Sequence, residues 1–480
     1  MSAGDPDASP EPSEPRESPR SGEAIASVGE EGRPGAAVTA RPSLAAPARA
    51  VSAGPSDPAT PAIPPPGRRL PGLDTLRGLA ILGIVPANLP SFAMPSSVTD
   101  RSIHFFSSAP SEAVAEGLHQ GLIAFKFVTI FALLYGAGLR MQWDSRVRSE
   151  PYGLTRTLYF VRRLGLLAAI GLIHGTLLWY GDILLTYGAI GLLSLLFVVK
   201  VPTVMRGVLG ALGTLFPVAV LVLFGLTLGA GGVASTPPSR LAELRAAPDS
   251  AAARRSEDGV TPPLLDQIEV FQSGTYVEQL EVRIRNWCAL MLAVVFLYGF
   301  RVFGLILLGA ALYESGFLLA PREHPRVAAA VVGVGLLVGL PVELWRAVVV
   351  VSTPEPAIAT RLLIDAPHQL SATLVSLAYI TLVMSLPERL HEGLLSPVRA
   401  VGRMALSCYL LTTVIGILLF RAPFLALYAK LTRLEILLTA LAICPLLMLV
   451  AWSWLKVFRY GPVEWVWRSL SELELRPLRR

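Results

Sequence analysis

Leu164 to Val199 reads LGLLAAIGLIHGTLLWYGDILLTYGAIGLLSLLFVV, and its only acid or base side chains besides tyrosine are His174 and Asp182. About 20 apolar residues cross the roughly 30 Å of a bilayer's hydrocarbon core, so this length suffices for two crossings. The corner at Trp179-Tyr180-Gly181-Asp182 is where the chain turns back. The reading predicts helices over 160–180 and 182–199.

Apolar runs of the same kind lie on both sides. They predict helices over 73–94, 121–139 and 207–230, then 290–318, 326–350, 368–386, 401–420 and 434–456. The expected fold is an all-α, polytopic transmembrane bundle of about ten helices. Composition agrees: 53% of the 480 residues are hydrophobic, 16% are charged, and mean hydropathy is +0.56. A soluble protein carries about 25% charged residues. The stretch from Trp287 to Ala320 is too long for one straight crossing and too short for two, which predicts a tilted helix with an interfacial lead-in.

Residues 1–67 are rich in Pro, Ala, Ser, Gly and Glu, cannot bury enough apolar area to offset ordering entropy, and are expected to be a disordered tail. The tail lacks the basic and apolar regions of a signal peptide, so the first helix is expected to direct insertion. Two membrane halves, 68–230 and 287–459, are expected to flank a polar loop over 231–286, and 460–480 to form an interfacial tail. Trp465 and Trp467, just past the last helix, suit the headgroup region.

Lysine and arginine gather in alternate connections: Arg140 to Arg163, Lys200 and Arg206, Arg322 and Arg326, and Arg389 to Arg403. The bias toward basic cytoplasmic loops then puts both termini in the cytoplasm and 231–286 outside. Arg421, Lys430 and Arg433 dissent. The net charge of +6 sits in these short connections, without interleaved aromatics, which argues against nucleic acid as a partner. Cys288, Cys408 and Cys444 all lie in apolar segments and read as small core residues. The six histidines show no metal-ligand spacing.

Ionisable groups within spanning helices are costly unless paired or facing a cavity, so each is a candidate for function. Counting inward from the cytoplasmic ends places Asn88 and His174 about 20 Å deep. Asp182, Lys126, Arg301, Glu343, Arg346 and His368 fall in the same outer band, which predicts a polar cavity there. Blander readings stand beside this one. Glu343 and Arg346, three apart, could neutralise each other. Lys126 could snorkel to the headgroups, and His368, His104 and His119 could be interfacial. His174 is too deep to snorkel; a carboxylate eight residues on could orient its ring for proton transfer. At the cytoplasmic end, Asp74 with Arg77, and Arg403, read either as cap and anchor or as a binding mouth.

Six ordered stretches resemble the YeiB-like bacterial membrane proteins, which carry a domain of unknown function (418) in their C-terminal half. They are LDTLRGLAILGIVPANL (73–89), FKFVTIFALLYGAGL (125–139), GLIHGTLLWYGDILLTYGAIGLL (171–193), GLILLGAALYESGFL (304–318), VGRMALSCYLL (401–411) and GPVEWVWRSL (461–470). The first is also distantly similar to transmembrane acyltransferases of the heparan-glucosaminide N-acetyltransferase type, in which an arginine precedes a polar residue by eleven positions, here Arg77 and Asn88. One acyltransferase branch has histidine where this chain has Asn88, and the histidine that follows in the N-acetyltransferase type has no counterpart at the same spacing; His104 is the nearest. The resemblance implies an inner-membrane protein that moves an acyl group, notably acetyl, from cytoplasmic acyl-CoA to an outer small-molecule or glycan acceptor. On that reading Arg77 and Arg403 meet the CoA phosphates, while His174, Asp182 and Asn88 carry the chemistry. Lys126, Arg301 and His368 line the substrate site. The alternative is a transporter or channel for a small polar solute, with Pro86 and Pro90 freeing backbone groups in the first helix.

Overall fold

A computed structural model describes residues 70–95, 109–149, 153–230, 263–353 and 357–480. The tail over 1–67, His104 and residues 231–262 lie outside the described residues. Apart from an isolated bridge between Phe458 and Arg479, no strand forms among them. The N-terminal half supplies α1 (Pro71–Ala93), α2 (Pro110–Leu118), α3 (Lys126–Ser149), α4 (Gly153–Ile173), α5 (Leu184–Lys200) and α6 (Thr203–Ala230). Next come α7 (Pro263–Ser273), α8 (Tyr276–Ala293), α9 (Gly299–Glu314), α10 (Pro325–Val334) and α11 (Leu340–Ser352). The chain ends with α12 (Ile358–Met384), α13 (Glu388–Glu392), α14 (Ser396–Arg403), α15 (Ala405–Phe420), α16 (Arg433–Val457) and α17 (Pro462–Glu472).

Each of the ten apolar stretches is helical, with shifted ends and with π-turns at His119–Ile123, His174–Leu178, Val294–Tyr298 and Gly335–Gly339. Six helical runs are long and apolar enough to cross a membrane, seven if α14 and α15, which meet at 89°, make one bent span. This is fewer than ten for physical reasons. Helix α5 has 17 residues, and α12 begins with the charged turns that hold Arg361 and Asp365. The run from Tyr276 to Glu314 starts polar, with Glu278, Glu281, Arg283 and Arg285 in its first turns. Leucines and valines along α6, such as Val204, Leu212 and Leu223, are exposed, and only 22% of its most apolar window is buried. An apolar surface of that extent suits lipid rather than water. The protein is therefore a multi-pass, all-helical membrane protein.

The two halves of the chain interleave. Helix α9 packs on α3 and α6, α12 on α3 and α6, and α1 on α14. The last crossing depends on glycine. A Cβ on Gly402 would lie 1.8 Å from Asp74 O, and one on Gly78 would lie 1.9 Å from Val398 O. We expect Gly402→Ala to cost about 1–3 kcal/mol through overpacking. Gly333→Ala, whose Cβ meets nothing within 4 Å, is the matched control. Thermal unfolding of both variants in one detergent checks this; equal melting temperatures would show that the crossing tolerates the methyl group.

Several blander readings give way here. Lys126 does not snorkel: it is fully buried and paired with Glu343. Glu343 and Arg346 do not neutralise each other, because their helix aims Arg346 at Asp365, 2.8 Å away. His368 is not interfacial; α12 begins ten residues earlier and buries it. The dissenting arginines are occupied by protein: Arg421 stacks 3.4 Å over Phe271, and Arg433 pairs with Glu116 at 2.6 Å. Part of the segment expected as a loop, 263–286, is helical; a capping box of Thr275 and Glu278 starts α8. Trp467 is bonded to the protein, its Nε1 donating to Arg163 O at 2.9 Å. Glu464 beside it accepts from the N–H groups of Leu406 (2.7 Å) and Ser407 (3.0 Å), capping the α15 N-terminus bared by the bend at Met404. Burial pushes the Glu464 carboxyl up from its ordinary range.

Candidate functional site

Two groups of buried polar side chains stand out. The first is built on the α4–α5 hairpin. Gly171 lets the two arms meet, since a Cβ there would lie 2.0 Å from Leu185 N. The helical run then widens into the π-turn His174–Leu178, closed by Trp179 N donating to His174 O at 2.9 Å. Such turns recur at functional sites because they rotate a side chain out of its regular register.

His174 Nδ1 lies 2.7 Å from Asp182 Oδ1, and Asp182 Oδ2 accepts from Leu185 N at 2.8 Å. His174 Nε2 lies 2.9 Å from the Thr413 hydroxyl on α15. With Asp182 as acceptor, Nδ1 carries a proton, and in the neutral ring Nε2 accepts from the hydroxyl. Tyr409 and Trp179 wall the imidazole at ring distances of 5.3 and 6.1 Å. Thr413, Tyr409 and Trp179 also line a narrow cavity together with Asn88, Phe92, Ile81, Ile84 and Thr412. It has room for about one water molecule. The hairpin and the cavity thus bring Asn88, His174 and Asp182 into one neighbourhood through Thr413, a residue that sequence reading missed. Threonines scattered in an apolar helix carry no periodic signal that singles one out.

At the other end of α1, Arg77 and Arg403 each adjoin a glycine of the Gly78–Gly402 crossing. Arg77 Nη1 pairs with Asp74 Oδ1 at 2.9 Å and remains partly exposed. Asn88 lies eleven residues farther along α1, about 16 Å by helical rise. The α1 prolines are partly compensated: Leu82 O, left without its helical donor by Pro86, accepts the Cys444 thiol at 3.5 Å. Pro86 and Pro90 line a second small cavity with Glu116, His119 and Arg433.

The second group joins α3, α11 and α12 around Glu343. Its carboxylate accepts from Lys126 and Ser371 and lies 2.9 Å from His368 Nδ1. Lys126 Nζ also donates to Gln120 O at 2.6 Å. Arg346 Nη1 donates to Gln120 Oε1 at 2.7 Å and its Nε to Asp365 at 2.9 Å. Arg301 on α9 reaches Thr129 at 2.8 Å and Thr373 at 3.4 Å. This group shares no hydrogen-bonding partner with the His174 group, so Lys126, Arg301 and His368 lie in a second site.

The comparisons with known proteins add the family. Residues 312–474 match a family described as "Protein of unknown function (DUF418)". The chain is 32% identical over 415 residues to a protein of Escherichia coli (strain K12) described as "Uncharacterized protein YeiB", covering 83% of this chain and 95% of that one. It is 29% identical over 424 residues to "Uncharacterized protein YxaH" of Bacillus subtilis (strain 168), covering 85% and 96%. No solved structure matches. With that identity sustained over nearly the whole length of the Escherichia coli protein, this chain belongs to the YeiB family.

Proposed function

We propose that the protein is a transmembrane acyltransferase of the bacterial inner membrane, with both termini cytoplasmic. Acyl-CoA is the donor substrate, and the acceptor is a small molecule or glycan outside. The observation that supports this most directly is the series Asp182–His174–Thr413, which presents a base-activated hydroxyl at a cavity wall. Thr413 Oγ1 attacks the thioester carbonyl while its proton passes to His174 Nε2. The carbon–sulfur bond breaks, and the proton follows to the departing thiolate. An acceptor hydroxyl or amine then attacks the acyl-threonine; its proton returns through His174 to Thr413 Oγ1. Asn88 on the cavity wall donates to the carbonyl oxygen as charge develops there. Arg77, in the first turns of the helix that carries Asn88, and Arg403, the last residue of α14 just before the helix that carries Thr413, meet the CoA phosphates.

The test uses purified protein and radiolabelled acetyl-CoA. Label is expected to transfer to wild-type protein or to turn over, and to do neither in His174→Ala or Thr413→Val. Wild-type protein with no binding, no acyl-protein and no turnover would end this reading. A second reading, transport of a small polar solute, draws on the buried ionic group around Glu343, for which acyl transfer at His174 has no use. Counterflow in proteoliposomes that survives His174→Ala would favour it.

A further inference from the structure

Arg301 is 3% exposed, yet both of its hydrogen bonds leave from Nη2 and end on the hydroxyls of Thr129 and Thr373. No carboxylate pairs with it among the described residues, and its buried Nε–H has no acceptor among them. His368 repeats the pattern. Its Nδ1 is held by Glu343, while its buried Nε2 has no partner among the described residues. Both side chains pack on one ring. The Arg301 guanidinium carbon lies 5.6 Å from the centre of Phe125, and the His368 ring lies edge-on to it at 5.0 Å. Phe125 itself has a φ of 63°, a left-handed conformation that a bulky residue adopts only when its surroundings enforce it.

Charge completes the argument. Lys126 and Arg301 are two buried cations facing one buried carboxylate, Glu343. The neighbouring Arg346 is matched by Asp365. A buried charge without a counterion is strongly unfavourable, and a paired one much less so. We infer that Arg301, beside His368 at the ring of Phe125, forms a binding site for a small monovalent anion of the carboxylate type. The guanidinium Nε–H supplies the charged donor; a His368 ring that gives its Nδ1–H to Glu343 without becoming a further cation presents Nε2 beside it as an acceptor for a hydroxyl or N–H on the ligand. Glu343 holds Lys126 in place and limits the excess charge to what one small anion neutralises. The site stands apart from His174 and does not rest on the acyl-transfer reading.

The test is titration of the full-length protein, in nanodiscs of neutral lipid, with sodium acetate, sodium chloride and uncharged acetamide. Calorimetry and thermal unfolding are read together. Acetate is expected to bind and to raise the melting temperature, whereas acetamide does neither. Arg301→Met should weaken acetate binding at least tenfold and unfold no earlier than wild type in anion-free buffer. A guanidinium with a purely structural role predicts earlier unfolding instead. If Arg301→Met does not fold, Arg301→Gln, which removes the charge but can still donate to Thr129 and Thr373, should show the same tenfold loss. A response to chloride alone would keep the anion site and change its ligand to an inorganic ion. No response to either anion, or an acetate response that persists in the variants, would overturn the proposal.

Discussion

Glu343→Ala is expected to destabilise the bundle by about 3–5 kcal/mol, the usual cost of breaking a buried ion pair from one side. The carboxylate is fully buried and serves three donors on two other helices: Lys126 on α3, and His368 and Ser371 on α12. Removing it leaves the Lys126 ammonium in a dry interior with only the Gln120 carbonyl at 2.6 Å. The double variant Lys126→Met/Glu343→Leu should recover most of the loss, because apolar side chains of similar volume can replace a buried pair at little cost. Thermal unfolding of the single and double variants under one set of conditions decides the matter. A double variant no more stable than Glu343→Ala would mean that the carboxylate matters through His368 and Ser371 rather than through charge.

This cluster also shows what the sequence could convey. Depth along the helices was legible, since 1.5 Å per residue is fixed by backbone geometry. That arithmetic put Lys126, Glu343 and His368 at one level, where they touch. Rotation about each helix axis was not legible. Glu343 and Arg346 are neighbours on one helix and suggest a local pair, but packing against α3 and α12 directs them to different partners. Asp365 was hidden for a related reason: with Arg361 and Pro367 it made the start of α12 look like a connection. The His174–Asp182 pair was readable because a tight corner limits how far apart two residues eight positions distant can lie. Thr413, 239 positions from His174, was not. The seat of Glu464 on the first turn of α15 was equally invisible, because it depends on the 89° bend before that helix.

The other large effect is on chemistry rather than stability. Asp182→Asn is expected to lower the rate of acyl transfer by about 10⁴-fold, as loss of the orienting carboxylate does where aspartate holds a catalytic histidine. The substitution is nearly isosteric, so the α4–α5 corner and the acceptor for Leu185 N are retained. What changes is the direction of one hydrogen bond. A carboxylate can only accept and so fixes the proton on Nδ1; an amide can donate to Nδ1 and drive the proton to Nε2. With Nε2 protonated, His174 no longer accepts from Thr413, and the hydroxyl loses its base. Single-turnover transfer from radiolabelled acetyl-CoA measures the rate, and equilibrium binding of the same donor should be unchanged. His174→Gln and Thr413→Val should be as slow as Asp182→Asn, and combining them should add little, because residues acting as one unit are not additive. An Asp182→Asn protein within tenfold of wild type would show that the carboxylate merely shapes the corner.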